Sequence, residues 1–368
     1  TPYAGTVKAG GTLQLNTLIG LTNSGAQINA LSEKITADGY LDAKEAQAMT
    51  LVSGYTADVK THSSNPLFDQ YIEQCYLDNF LRGGYPFIFP QKDGSSKVVH
   101  LFSRKHGDPE RDYNFFSTAG EFYSQGNGNF RDVNQNRRND VFFHPQVGDF
   151  NIKTFFSLIQ ADGYNPLEIR SYTFSVLPDK ESDLEALLTK AGKEESDRAA
   201  LKKLITERFT PGQIVNGIFH KNIALTMTDD AFLQELISLC SQNIEAGHGE
   251  GYWSDHFTYD FDLVEDYLRI FPDKKEELLY DNCTYRFYDS AVRVMPRSEK
   301  YVVSKGEVRQ YGALVEDTEK SEREDFDVKG TNWLKTVDGN IVEVSLFTKM
   351  LFLAAIKFST LDVEGMGI

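Results

Sequence analysis

The chain has 368 residues, 40% hydrophobic and 12% aromatic, with a net charge of −16 and a pI near 4.9. This length exceeds what one core usually supports, so one large or two unequal domains are expected. An acidic surface repels phosphate backbones, which argues against a nucleic-acid partner, and the most apolar run, 342–358, carries Glu343, Lys349 and Lys357 and reads as a core helix, so no membrane span is expected.

Residues 1 to about 20 alternate and are rich in Thr, Gly and Val, a period of two that predicts β-strands. Two strands cannot stand alone, so 1–25 reads as the end of a β-sandwich domain. Residues 26–64, with Ile28, Leu31 and Ile35 at helical spacing, read as a helical linker. Asn65-Pro66 is a helix start, with Asn as cap and Pro in the first turn. Phe68, Tyr71, Ile72, Cys75, Tyr76 and Phe80 then recur at helical intervals until Gly83-Gly84 stops them.

Further helices read at about 150–161, 183–208, 229–243, 260–271 and 343–359. The 183–208 segment has a thin apolar stripe and Gly192 in its middle, so a surface helical hairpin inserted at about 181–210 is expected. The stretches 83–149, 162–180, 245–259 and 280–335 read as long loops, which inside a compact domain are usually functional. Cys75, Cys240 and Cys283 show no disulfide or metal-ligand spacing, and read as buried free thiols in a reducing, cytoplasmic setting. The chain starts at Thr1 without an initiator Met and ends at Ile368 directly after an apolar helix, so both ends read as cuts in a longer polypeptide.

Three constellations could carry chemistry. The densest runs from Glu121 through Gly126, Gly128, Arg131, Asp132, Asn134, Gln135, Arg137 and Arg138 to Asp140. A carboxylate among amides and guanidiniums suits a sugar, whose hydroxyls both donate and accept, and Arg131 beside Asp132 holds that carboxylate in place. A solvated turn with surface ion pairs is the plainer alternative. In Gln160-Ala-Asp162-Gly163-Tyr164, Asp162 reads either as a helix stop or as part of a loop beside a sugar.

The second strong cluster runs from His248 through Trp253, Asp255 and His256 to Asp260, opening a helix with Phe261, Val264 and Leu268 on its apolar face. A carboxyl group at a helix start beside Trp253 is partly desolvated, as a general acid needs to be. N-capping plus a core Trp is the alternative, and His248 with His256 match no standard zinc spacing, so no metal is expected. A third set, Tyr285-Arg286-Phe287-Tyr288-Asp289-Ser290 with Arg293 and Arg297, suits the lining of a longer oligosaccharide groove. No serine-nucleophile elbow, phosphate loop or dinucleotide fingerprint is present.

The order Phe130-Arg131-Asp132-Val133-Asn134-Gln135, then Gln160-Ala161-Asp162-Gly163, then Trp253-Ser254-Asp255-His256 resembles the inverting glycoside phosphorylases of the cellobiose phosphorylase type, and most closely their larger relatives acting on β-glucan oligosaccharides (glycoside hydrolase families 94, 149 and 161). The likeness covers roughly residues 65–368, and Arg-Asp-x-Asn-Gln is its most specific part. It implies a mainly α fold, a six-hairpin (α/α)6 barrel that is partial here, over 65–368, after the end of a β-sandwich and a helical linker. It also implies phosphorolysis of β-linked gluco-oligosaccharides, with inorganic phosphate as co-substrate, no cofactor and a compatible homodimer. Arg131 and Asp132 would hold the terminal sugar, with Gln135, Asp162, Trp253 and His256 also binding substrate. An inverting hydrolase on the same barrel and a non-catalytic carbohydrate-binding fragment are the alternatives.

The sequence departs from that pattern in two places. Asn136 stands where the family often has Asp, and the family's acid lies in a Trp-Asn-Asp string that does not occur here. Either Asp255 of Trp253-Ser254-Asp255 is the acid, or Asp255 matches an upstream cleft residue and the acid lies beyond Ile368. The family's phosphate-binding His and Thr-Gly lie later still, and nothing in the chain replaces them.

Overall fold

The computed structural model describes residues 5–20, 25–101, 121–205, 208–248, 256–309, 312–322 and 332–359. The chain divides into two compact units, Thr1–Ala57 and Asp58–Ile368. In the first, helices α1 (Gly25–Ile35) and α2 (Tyr40–Thr56) pair across a turn at Gly39, whose φ of 78° suits glycine. The linker helices are therefore present, whereas the described residues 5–20 contain none of the strands expected before them and are exposed throughout. Alternation is only permissive, because a strand forms when a neighbour satisfies its backbone N–H and C=O groups.

The second unit opens with α3 (Pro66–Gly83), capped by the Asn65 side chain, which accepts from Leu67 N at 3.1 Å. Gly84, at φ 88°, turns the chain into β1 (Tyr85–Pro90), and a Cβ there would lie 2.7 Å from that of His100. An Asp93-Gly94 turn then leads to β2 (Ser96–Leu101) in an antiparallel hairpin. The expected loop 83–149 thus begins as a hairpin. It resumes after the undescribed residues with β3 (Gly128–Asn129), α4 (Phe130–Arg137) and α5 (Asp140–Phe143). Periodicity could not reveal α4, whose buried face is mostly polar: Asp132, Asn134 and Arg137 are covered together with Phe130 and Val133.

Helix α6 (Phe150–Ser157) is the most buried helix and is followed by β4 (Glu168–Ile169) and β5 (Thr173–Val176). The expected hairpin is α7 (Glu181–Ala191) and α8 (Glu195–Leu204), broken at Gly192, where a Cβ would come within 2.9 Å of Arg198 N. Most of its residues are exposed, and it packs through a thin apolar stripe. Leu187, Leu188, Ala191 and Leu201 enter the main core, and the pair packs on α9 (Pro211–His220) and α10 (Asp229–Ser238). Helix α9 was not expected, although Thr210-Pro211-Gly212-Gln213 is a capping-box signature and forms one: the Thr210 hydroxyl accepts from Gln213 N at 3.1 Å.

After β6 (Cys240–Asn243) and β7 (Ala246–Gly247) comes α11 (His256–Ile270). Four short strands follow, β8 (Val292–Val294), β9 (Val302–Ser304), β10 (Glu307–Arg309) and β11 (Leu314–Glu316), with α12 (Thr318–Ser321) and α13 (Leu346–Ser359) completing the described residues. The fold is mainly α, with helices in two packed groups: α3, α4, α6 and α11, and α7 to α10. One core joins them, including Phe130, Phe155, Phe156, Phe174, Phe209, Phe232 and Leu236. Among the described residues no helix is long and apolar enough to cross a membrane. Only Cys240 of the three free thiols is buried; Cys75 is half-buried, and Cys283, in the irregular stretch after the Glu277–Asp281 helical segment, is exposed.

Candidate functional site

The β3–β4–β7 sheet assembles the site region. Gly128 pairs with Ile169 and Ile169 with Ala246, so the entry to α4 lies two strands from the segment that leads to His248. Gly128 cannot carry a side chain, since a Cβ would sit 2.4 Å from Val133 Cγ2. This close approach lets α4 begin immediately after the strand.

Helices α4 and α11 run parallel, as their contacts show. Phe130 stacks on His256 with centroids 5.2 Å apart, and one turn later Asn134 Nδ2 donates to Asp260 Oδ1 at 2.5 Å. Beyond them Arg138 Nη1 reaches Asp262 Oδ2 at 2.6 Å. The two N-termini, with their positive dipole ends, therefore lie at the same end. In the first turn of α4, Asp132 is only 5% exposed. Asn129 Nδ2 donates to its Oδ2 at 3.0 Å, and Arg131 Nε to its Oδ1 at 3.2 Å. Gln135, one turn on, is exposed to solvent, and Asn136 instead donates to the Asp132 carbonyl at 2.6 Å.

Not every candidate joins this group. Asp162 holds a turn: Oδ1 accepts from Tyr164 N at 3.0 Å, and Oδ2 accepts from Val294 N at 2.7 Å, which ties the turn to β8. His256 is buried against Phe130, while Trp253 and Asp255 lie outside the described residues. On α11 the apolar face expected at Phe261, Val264 and Leu268 is rotated. The buried positions are His256, Asp260, Leu263, Val264 and Asp266, with Leu268 partly buried against the core, and Phe261 is exposed. Among the described residues no group of three His, Cys, Asp or Glu side chains could hold a metal.

A separate cleft of about 740 Å3 runs along α6 and is lined by Lys153, Ser157, Asn282, Thr284, Arg286 and Trp333 among others. Of the third sequence cluster only Arg286 reaches it, with its guanidinium 5.5 Å from the Trp333 ring centre and paired with Glu343. Asp132 does not line this cleft.

Sequence reading missed the polar scaffold beneath α4. Arg137 Nε donates to Gly83 O at 2.8 Å and its Nη1 to the Tyr172 hydroxyl at 3.0 Å. Asp140 Oδ2 sits 2.9 Å from His100 Nε2 and accepts from Asn151 Nδ2 at 2.9 Å. His100 and Asp140 are 40 positions apart, so no local pattern joins them. Behind β7, His248 stacks on Tyr288 at 4.8 Å.

Both histidines are neutral in the fold. Burial pushes His248 down to about 3, and burial with the nearby Arg137 charge pushes His100 down to about 4, against the opposing pull of Asp140. Unfolded imidazoles take up protons from about pH 6.5, so the unfolded state binds more protons below that value and stability falls on acidification. In pH-dependent thermal unfolding, His100→Gln is expected to lose less stability than wild type between about pH 6.5 and 4.5. The difference should approach 1.4 kcal/mol per pH unit.

No family model matches the chain, and no curated protein matches its sequence.

Proposed function

We propose that the chain is an inverting glycoside phosphorylase for β-linked gluco-oligosaccharides, with Asp132 and Arg131 gripping the terminal sugar. One observation carries this reading: the first turn of α4, bearing the Arg-Asp-x-Asn-Gln motif, stands beside the first turn of α11, which follows Trp253-Ser254-Asp255. The helix starts that carry Asp132 and His256, far apart in sequence, thus share one end of a parallel helix pair, which supports a common sugar site. The mainly α architecture agrees with an (α/α)6 barrel, which belongs to the proposal.

In this reaction a phosphate oxygen bonds to the anomeric carbon as the bond to the departing sugar oxygen breaks, and configuration inverts. A carboxylic acid, Asp255 or one supplied beyond Ile368, gives its proton to that oxygen. Phosphate takes the place of an activated water, so no second carboxylate serves as base. In this reading Gln135 contributes a solvent-accessible amide one turn further along α4 and Trp253 flanks the sugar, while His256, buried against Phe130, supports that helix start from behind. A cytoplasmic setting accords with the three unpaired thiols.

The test is to supply β-1,3- and β-1,4-linked glucotrioses with and without inorganic phosphate. Phosphate-dependent sugar 1-phosphate is the expected product. Phosphate-independent free glucose would replace the reading with a hydrolase, and binding without turnover with a carbohydrate-binding module. Neither binding nor turnover would remove carbohydrate altogether.

A further inference from the structure

Asp260 is fully buried on α11, yet its Oδ2 has no hydrogen-bond partner, and neither has the buried Oδ1 of Asn134 opposite it. The amide and carboxyl groups already meet through Asn134 Nδ2 and Asp260 Oδ1 at 2.5 Å. An ionised carboxylate would leave two unpaired acceptors in a dry interior, a costly arrangement. A proton on Asp260 Oδ2 resolves both vacancies, because it can be donated to Asn134 Oδ1 and close a cyclic acid–amide pair.

We infer that Asp260 is a positioning residue that works as a neutral acid, locking α4 to α11 through this cyclic pair and so fixing the end of the two helices that carries Asp132 and His256. The neighbours agree with that charge state. From α4 the facing side chain is the neutral Asn134, and from α13 it is Lys349. On α11 itself His256 lies one turn earlier, and no charged group of α5 or α6 acts on Asp260. Lys349 has partners of its own: its Nζ donates to Ile159 O at 2.9 Å and to Arg286 O, and stands 3.8 Å from the Phe287 ring centre. These contacts hold Lys349 in place without a carboxylate beside it, and burial lowers its pKa well below the usual value against the pull of Asp260. Burial outweighs the Asn134 hydrogen bond and the Lys349 charge, and raises Asp260 to about 8.

The consequence is a site that loosens in alkali. A folded acid with a raised pKa holds a proton that the unfolded chain has already released, so its contribution to stability is full below about pH 4 and declines as pH rises to about 8. If only the acid form holds the site, sugar affinity follows the neutral fraction and should weaken about 30-fold between pH 6.5 and 9.5.

The test compares wild type with Asp260→Asn, whose amide can pair with Asn134 without a titrating proton. Infrared difference spectra should show a protonated-carboxyl band at pH 6.5 in wild type that the variant lacks. The stability of wild type relative to the variant should fall from pH 5 to 9. Binding of the β-linked glucotrioses should weaken with pH in wild type and stay within about twofold in the variant. The sugar measurement rests on the proposed function, whereas the other two do not. Loss of sugar binding at every pH therefore counts against the function, and leaves the neutral acid to the spectra and the stability curve. A missing carboxyl band at pH 6.5, or a relative stability that stays level or rises with pH, overturns the inference. Should the variant not fold, wild type alone decides: a carboxyl band that persists unchanged to pH 9.5, or is absent at pH 6.5, overturns it.

Discussion

Asp132→Ala is expected to weaken β-gluco-oligosaccharide binding by at least roughly 100-fold while leaving the chain folded. A sugar hydroxyl donating to a carboxylate contributes about 1.5–3 kcal/mol, and a terminal sugar gripped through two hydroxyls loses both contributions at once. The structural cost is smaller. The carboxylate accepts from Asn129 and Arg131 in the first turn of an eight-residue helix, and removing an acid from a helix N-terminus costs about 1 kcal/mol. Calorimetric titration with a β-linked glucotriose measures the first effect and chemical denaturation the second. Unchanged affinity in a folded variant would take Asp132 out of the site.

The largest expected loss of stability comes from Arg137, which is 3% exposed and bridges Gly83, Tyr172 and α4. Arg137→Ala should cost about 3–5 kcal/mol, through a cavity and buried oxygens left without donors. Arg137→Met keeps most of the side-chain volume and so isolates the hydrogen bonds, for which about 1–3 kcal/mol per orphaned group is expected. Equilibrium unfolding in urea measures both. A loss below about 1 kcal/mol in the alanine variant would mean that water reaches Gly83 O and the Tyr172 hydroxyl without help.

Much of the helical framework was legible because its cause is local. Asn65-Pro66 and the recurrence from Phe68 to Phe80 specify α3 before any tertiary contact forms, and the Asn65 side chain makes the predicted cap. Thr210-Pro211-Gly212-Gln213 was equally readable, and its capping box starts α9 where no helix was expected. The described residues 5–20 hold no strand for the opposite reason, since alternation cannot create a partner strand.

The candidate site divides in the same way. The Arg131-Asp132 pair is a nearest-neighbour contact, and the sequence alone places it. That Asp162 is consumed by Tyr164 and Val294 could not be seen, because Val294 N is 132 positions away. Asp260 is an intermediate case. Its position four residues after His256 and three or four before Leu263 and Val264 puts it on the buried stripe of α11, a signal obscured by reading the stripe through Phe261.

The amino-acid order by itself determined where most helices start and stop, and which carboxylate has a guanidinium beside it, because caps, glycine stops and adjacent side chains act over one or two turns. Only the tertiary structure decided that α4 is a helix at all, that α7 and α8 join the core, and that Asn134 meets Asp260. Those outcomes depend on burial by distant segments, which sets whether a polar group keeps water or must find a partner, and no window of neighbouring residues contains that information.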